Sequence, residues 1–210
     1  MTLLPFISIK LTQKDVMDQE GATSAQATTA QAPNAQATTA QATAAQTTAA
    51  QITLETGKSS QILRHAQKIL ISVVTIGPLL DQRIRELNQA RDPLGGYLLD
   101  CAGLAALKKA GTLVCRLAEK QALSRNWGVG YQVGPGGTQG WPLKDQAKVC
   151  SLVSLDPIGV KIDAQGGLSP FKTISSLIPI GPGYKRKTVG STCRYCGRRE
   201  TCNMGDIRWG

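Results

Sequence analysis

Hydrophobic positions along this chain change their spacing several times, and each change marks an element. LPFISIKL near the start alternates loosely as a strand does, and Thr12 with Asp15 before Val16 resembles a capping pair opening a short helix. Farther on, Ser59 or Ser60 caps a helix whose Ile62, Leu63, Ala66, Ile69 and Leu70 share one face. ISVVTI then reads as a buried strand. A second helix is predicted from about Leu79 to Ala90, and a longer third one from about Pro93 to Ala122. Leu98, Ala102, Leu113 and Leu117 are core candidates in the third. After it, WGVGYQV reads as a strand, PLKDQAKVCSLV as a helix, and GVKID and TISSLIPI as strands. Helices followed by short strands point to an α+β fold, with helices packed on a twisted, mainly antiparallel sheet and a Cys-rich C-terminal tail.

Between residues 26 and 51 this patterning stops. Gln26, Gln31, Gln36, Gln41, Gln46 and Gln51 recur every five residues, which matches neither a helix nor a strand, and no aromatic or branched aliphatic residue lies between them. Ala content favours a helix there, but the threonines and Pro33 oppose it. The chain accordingly divides into a strand and helix piece over 1–20, a disordered linker over 21–52, an α+β domain over 53–182 and a basic Cys-rich tail over 183–210. An insertion of this kind is tolerable because loop-closure entropy grows only logarithmically with length.

Composition narrows the function classes. Of 210 residues, 24 are Lys or Arg and 14 are acidic, a net charge of +10 that permits a polyanionic partner without requiring one. The 2 Phe, 3 Trp and 4 Tyr are too few for a base-stacking platform. Apolar runs at 3–9 and 69–80 fall short of the ~20 residues that span a bilayer, and the first lacks the flanks of a secretory signal. The cysteines then belong to a reducing compartment, the cytoplasm.

Candidate chemistry is concentrated in two stretches. Gly134, Pro135, Gly136 and Gly137 form a segment without bulky side chains, open to close approach of a ligand, and Trp141 precedes Pro142, a residue suited to a first helical turn. The other is CRYCGRRETC. There Cys193, Cys196 and Cys202 offer three soft thiolates, a set compatible with zinc or an iron–sulfur cluster, with the fourth ligand left to Cys101, Cys115, Cys150, His65 or an exogenous group. Cys101, Cys115 and Cys150 individually read as core residues. His65, the single histidine, has no obvious nucleophile or carboxylate partner in sequence, and a P-loop is absent.

The collinear series from the Pro-Gly turn through W-P-L-x-x-Q, I-G-V and L-x-P-x-K-T-I-S to the clustered cysteines resembles the activation domain of cobalamin-dependent methionine synthase. VVTIGPLL and YLLDCAG extend the resemblance upstream, to roughly residues 55–202. It implies an accessory to a corrinoid-dependent methyltransferase that docks on the corrinoid protein and binds S-adenosylmethionine for reductive reactivation. The family signature, Arg, three residues, then Gly-Tyr, falls here on Gln132, Gly136 and Gly137, so the guanidinium and the ring are missing. Its second cofactor-side run falls on Pro170, Thr173, Ser175 and Ser176. With Gly134 and Pro135 these complete the implied cofactor-binding set, while Cys193, Cys196 and Cys202 are the metal candidates. The rival reading is a basic, metal-stabilised nucleic-acid-binding module, drawn from Lys185, Arg186, Lys187, Arg194, Arg198 and Arg199.

Overall fold

The computed structural model describes Phe6–Ile7, Ser24–Ala27 and residues 52–201. The remainder of the 1–20 piece, the repeat over 28–51 and Cys202 lie outside the described residues. In chain order the strands are β1 (Phe6–Ile7), β2 (Ser24–Ala27), β3 (Ile52–Glu55), β4 (Lys68–Thr75), β5 (Gly128–Val129), β6 (Lys161–Ile162), β7 (Leu168–Ser169) and β8 (Thr173–Gly181). The helices are α1 (Ser60–Leu63), α2 (Leu79–Gln89), α3 (Pro93–Leu123) and α4 (Gln146–Cys150). β2, within the stretch read as linker, pairs with β3.

The fold is α+β, with the helices on an antiparallel sheet of order β1-β4-β8-β5. Its spine is the long β4–β8 ladder, from Lys68 opposite Ile180 to Thr75 opposite Thr173. Because successive strand residues face opposite sides, these two strands supply two cores at once. Ile69, Ile71 and Leu177 join Leu54, Ile62, Leu63, Val133, Trp141 and Val149 on one side. Leu70, Ile178 and Ile180 join Ala118, Ala122 and Val129 beneath α3 on the other.

This alternation corrects the first predicted helix, which ends at Leu63. Ile69 and Leu70 belong to β4 instead, on opposite faces of the sheet, and the Gln67 amide donates to the Ile180 carbonyl 3.0 Å away. A helical face and a short buried strand give the same apolar run, so periodicity alone does not separate them. WGVGYQV is likewise only β5 plus isolated bridges at Tyr131 and Val133, and GVKID contributes only Lys161–Ile162.

α3 begins where Asp92 accepts the Gly95 amide at 2.8 Å with Pro93 in the first turn, as a helix start requires. Its inward ridge is Gly96, Gly103, Leu107, Gly111, Ala118 and Ala122. Three core expectations fail here: Leu98 and Leu113 are each 59% exposed and Ala102 is exposed, while Leu117 packs against the core under α3. Close approach is the reason. A Cβ at Gly103 would lie 2.6 Å from Leu80 Cδ2, so the small residues face the neighbouring elements and the leucines are turned outward. Cys101 is exposed for the same reason, whereas Cys150 is buried and Cys115 half-buried. No helix of the described residues is long and apolar enough to cross a membrane.

Candidate functional site

A cleft of about 380 Å³ opens where β8 loses its second neighbour. Toward its C-terminal end β8 is paired on both edges: Val133 and Leu177 exchange both backbone hydrogen bonds (2.8 and 3.0 Å), and the Gly130 amide donates to the Pro179 carbonyl at 2.9 Å. Continued two residues further, this antiparallel register sets Pro135 opposite Ser175. Proline has no amide proton to extend the ladder, and the chain departs there. The Gly134 carbonyl instead accepts from the Gly137 and Thr138 amides (3.4 and 3.3 Å), closing the glycine turn.

Gly134 has a steric role at this departure, since a Cβ on it would sit 3.0 Å from the Ser175 carbonyl oxygen. Gly136 holds a positive φ of 73° in the turn, and its amide donates to Trp141. Trp141 is buried, and Pro142 is extended rather than helical, standing just before a short 3-10 turn at Leu143–Asp145 that leads into α4. Gln132, Gly134, Pro135, Gly137, Thr173, Ser175 and Ser176 all line the cleft with Cys193 and Cys196. Gly136 and Pro170 do not: Gly136 turns toward Leu143 and Pro170 is buried beyond the end of β8.

The polar walls are held in fixed orientations. Ser175 Oγ donates to Gln146 Oε1 (3.1 Å), and Gln146 Nε2 donates to the Gly166 carbonyl (2.7 Å). From the α3 side, Gln132 Nε2 donates to Ser176 Oγ (3.0 Å), which is hydrogen-bonded to Ser72 Oγ (2.9 Å). The Thr173 hydroxyl donates to the Pro170 carbonyl at 2.7 Å and lies 2.9 Å from the Thr75 hydroxyl. Gln146 is the main lining residue that sequence reasoning missed. Its signal is the final position of W-P-L-x-x-Q, which helix periodicity alone does not mark as part of a site.

The third wall is the cysteine turn. Tyr131 bridges to Gly190, which carries the chain to a 3-10 turn at Thr192–Tyr195. Thr138 then bridges to Cys196, the Gln139 amide donates to the Tyr195 carbonyl (2.9 Å), and the rings of Tyr131 and Tyr195 meet edge to face at 5.0 Å. The Arg198 amide donates to Cys196 Sγ at 3.4 Å, which fixes the sulfur in the turn. Among the described residues no three of His, Cys, Asp and Glu cluster as a metal site; Cys202, the third expected ligand, lies outside them.

None of the residues that line the cleft carries a charge. The nearby ions are satisfied elsewhere. Buried Lys172 pairs with Asp100 of α3, and buried Asp145 accepts the Glu55 amide (2.6 Å) and pairs with Lys148 (2.7 Å). His65 is exposed, accepts from Arg64 Nε at 2.9 Å and meets the Tyr184 ring edge to face at 6.2 Å. Burial pushes the Cys150 thiol up to about 11, and burial followed by the nearby Glu119 carboxylate raises that of Cys115. Both are held as inert thiols. The arrangement therefore suits binding, through amides, hydroxyls, open backbone and two sulfurs. No protein family and no curated protein matches the chain.

Proposed function

We propose that this protein is a cytoplasmic accessory of a corrinoid-dependent methyltransferase, like a methionine synthase activation domain, that docks on the corrinoid protein and takes S-adenosylmethionine weakly in its cleft. The observation that carries this reading is one cleft walled by the glycine turn, Thr173–Ser176 and the cysteine turn, three stretches far apart in sequence. Zinc or an iron–sulfur cluster on Cys193, Cys196 and Cys202 belongs to the same proposal; metal well below one equivalent per chain after anaerobic purification removes it. The rival nucleic-acid module requires the cysteine loop to stand apart as a basic knob, and its seating against Thr138 and Gln139 speaks against that. A salt-steep affinity for DNA would favour the rival.

The uncharged lining lacks a partner for the methionine carboxylate, a charge-assisted bond worth ~1.5–3 kcal/mol, or roughly one to two decades in affinity. Gln132→Arg with Gly137→Tyr supplies the missing pair. Gly137 has no positive φ, and a Cβ there meets nothing closer than the Gly134 carbonyl oxygen at 3.8 Å, so the ring is sterically admissible. Calorimetry should show weak binding by the natural protein and binding stronger by about that factor in the double variant. Tight binding by the natural protein would place the carboxylate on another residue, and no binding by either removes S-adenosylmethionine from the proposal.

A further inference from the structure

The floor of the cleft is an open sheet edge. Along β8 the backbone groups of Leu177 and Pro179 point away from β4, as their bonds to Val133 and Gly130 show, whereas Lys172 at even parity bonds Ile76 of the β4 side. By the same parity, the N–H and C=O of Thr173 and Ser175 point away from β4, toward the cleft that Pro135 also lines. They have no backbone partner among the described residues. Two donors and two acceptors thus stand in a row, with an i to i+2 repeat of about 6.8 Å.

That repeat is the spacing of a polypeptide strand. An unpaired edge with pockets beside it is how proteins capture extended peptides, the main chain supplying affinity and alternate side chains supplying choice. Charge sets the kind of peptide. The chain is +10 overall, but the cleft has no charged lining residue, so the captured segment is uncharged where it meets β8. Small polar and thiol groups of Thr138, Thr192, Cys193 and Cys196 face it from the far wall.

We propose that the cleft binds an extended, uncharged peptide segment of a partner protein, which adds as a strand to the edge of β8 at Thr173 and Ser175. This goes beyond the reading above and does not require the partner to be a corrinoid protein or S-adenosylmethionine to bind. The probe is the capped peptide acetyl-Thr-Val-Thr-Val-Thr-amide at millimolar concentration, with amide hydrogen exchange of the full chain followed by NMR. Thr173 and Ser175 amides should exchange fast in the free protein and be slowed selectively by the peptide. An analogue with ester links in place of the amides, which keeps the side chains but has no N–H, should fail to slow them. Ser175→Pro removes one outward donor without touching the β4 ladder, as natural Pro179 does at the same parity, and should bind about tenfold more weakly, one hydrogen bond's worth, than Ser175→Ala, which loses the same Oγ bond to Gln146 but keeps the amide. Unchanged exchange at Thr173 and Ser175 with the peptide present, or equal binding of the ester analogue, overturns the proposal. Calorimetry with S-adenosylmethionine is read separately, so either proposal can fail alone.

Discussion

The two halves of β8 have the same partner on one edge and different fates on the other. From Leu177 to Gly181 the strand is buried, with Leu177, Ile178 and Ile180 fully inaccessible and both edges engaged. From Thr173 to Ser176 the β4 ladder continues unbroken, but the second edge is bare and the side chains turn to hydroxyls. A single residue type opposite the strand accounts for the change: Val133 has an amide proton to give Leu177, and Pro135, two residues on, has none for Ser175. The buried core and the proposed binding edge thus occupy adjacent segments of one strand, separated by where its neighbour stops pairing.

Proline scanning should break this comparison most sharply. Leu177→Pro loses the 2.8 Å bond to Val133 and a fully buried side chain, and is expected to cost more than about 3 kcal/mol, read as loss of the cooperative urea transition. Gly134→Val comes next. Its Cβ would press on the Ser175 carbonyl from 3.0 Å, so it should cost ~1–3 kcal/mol and abolish ligand binding in the cleft, measured by denaturation and calorimetry together. Ser175→Pro should cost about 1 kcal/mol, the worth of the lost Oγ bond to Gln146, because its nitrogen faces the open edge and the β4 ladder is kept. A cost comparable to that of Leu177→Pro would mean that the edge is not open.

The buried half should also show a dependence on alkaline pH. Burial raises the Cys150 thiol from 9.0 to about 11, so the folded state keeps its proton longer than the unfolded chain does. Its contribution to stability is present below pH 9 and is lost as the pH rises through about 11. Tyr184, whose hydroxyl donates to the Ile62 carbonyl and which burial also raises, adds to the loss at still higher pH. Cys150→Ala should reduce the fall of the urea midpoint between pH 9 and 11, leaving the parts due to Cys115 and Tyr184, whose protons burial also holds.

Sequence patterning was legible wherever local chemistry decides. The start of α3 at Asp92–Pro93, the α2 span and the TISSLIPI strand follow from capping, periodicity and turn residues. It misled where apolar character was uniform. α3 is apolar on most of its circumference, so only the glycines, at 96, 103 and 111, mark the inward ridge. For the site, seven of the nine residues expected to bind a cofactor line the cleft, carried by motif order rather than by any single chemical signature. The open edge itself was invisible, because it depends on the parity of a strand relative to a partner 44 positions away in sequence, Val133 against Leu177.

The half-buried thiol of Cys115 gives this cleft a native spectroscopic reporter. Its sulfur donates to Gln132 Oε1 at 3.7 Å, and the same amide holds Ser176 at the cleft wall. Because its environment keeps the group protonated, an S–H oscillator sits one amide away from any bound molecule. The S–H stretch falls in an infrared window clear of water and peptide bands. A ligand that reorients Gln132 must strengthen or break the S–H···O contact, so the frequency would register occupancy without a label, from the far side of the sheet.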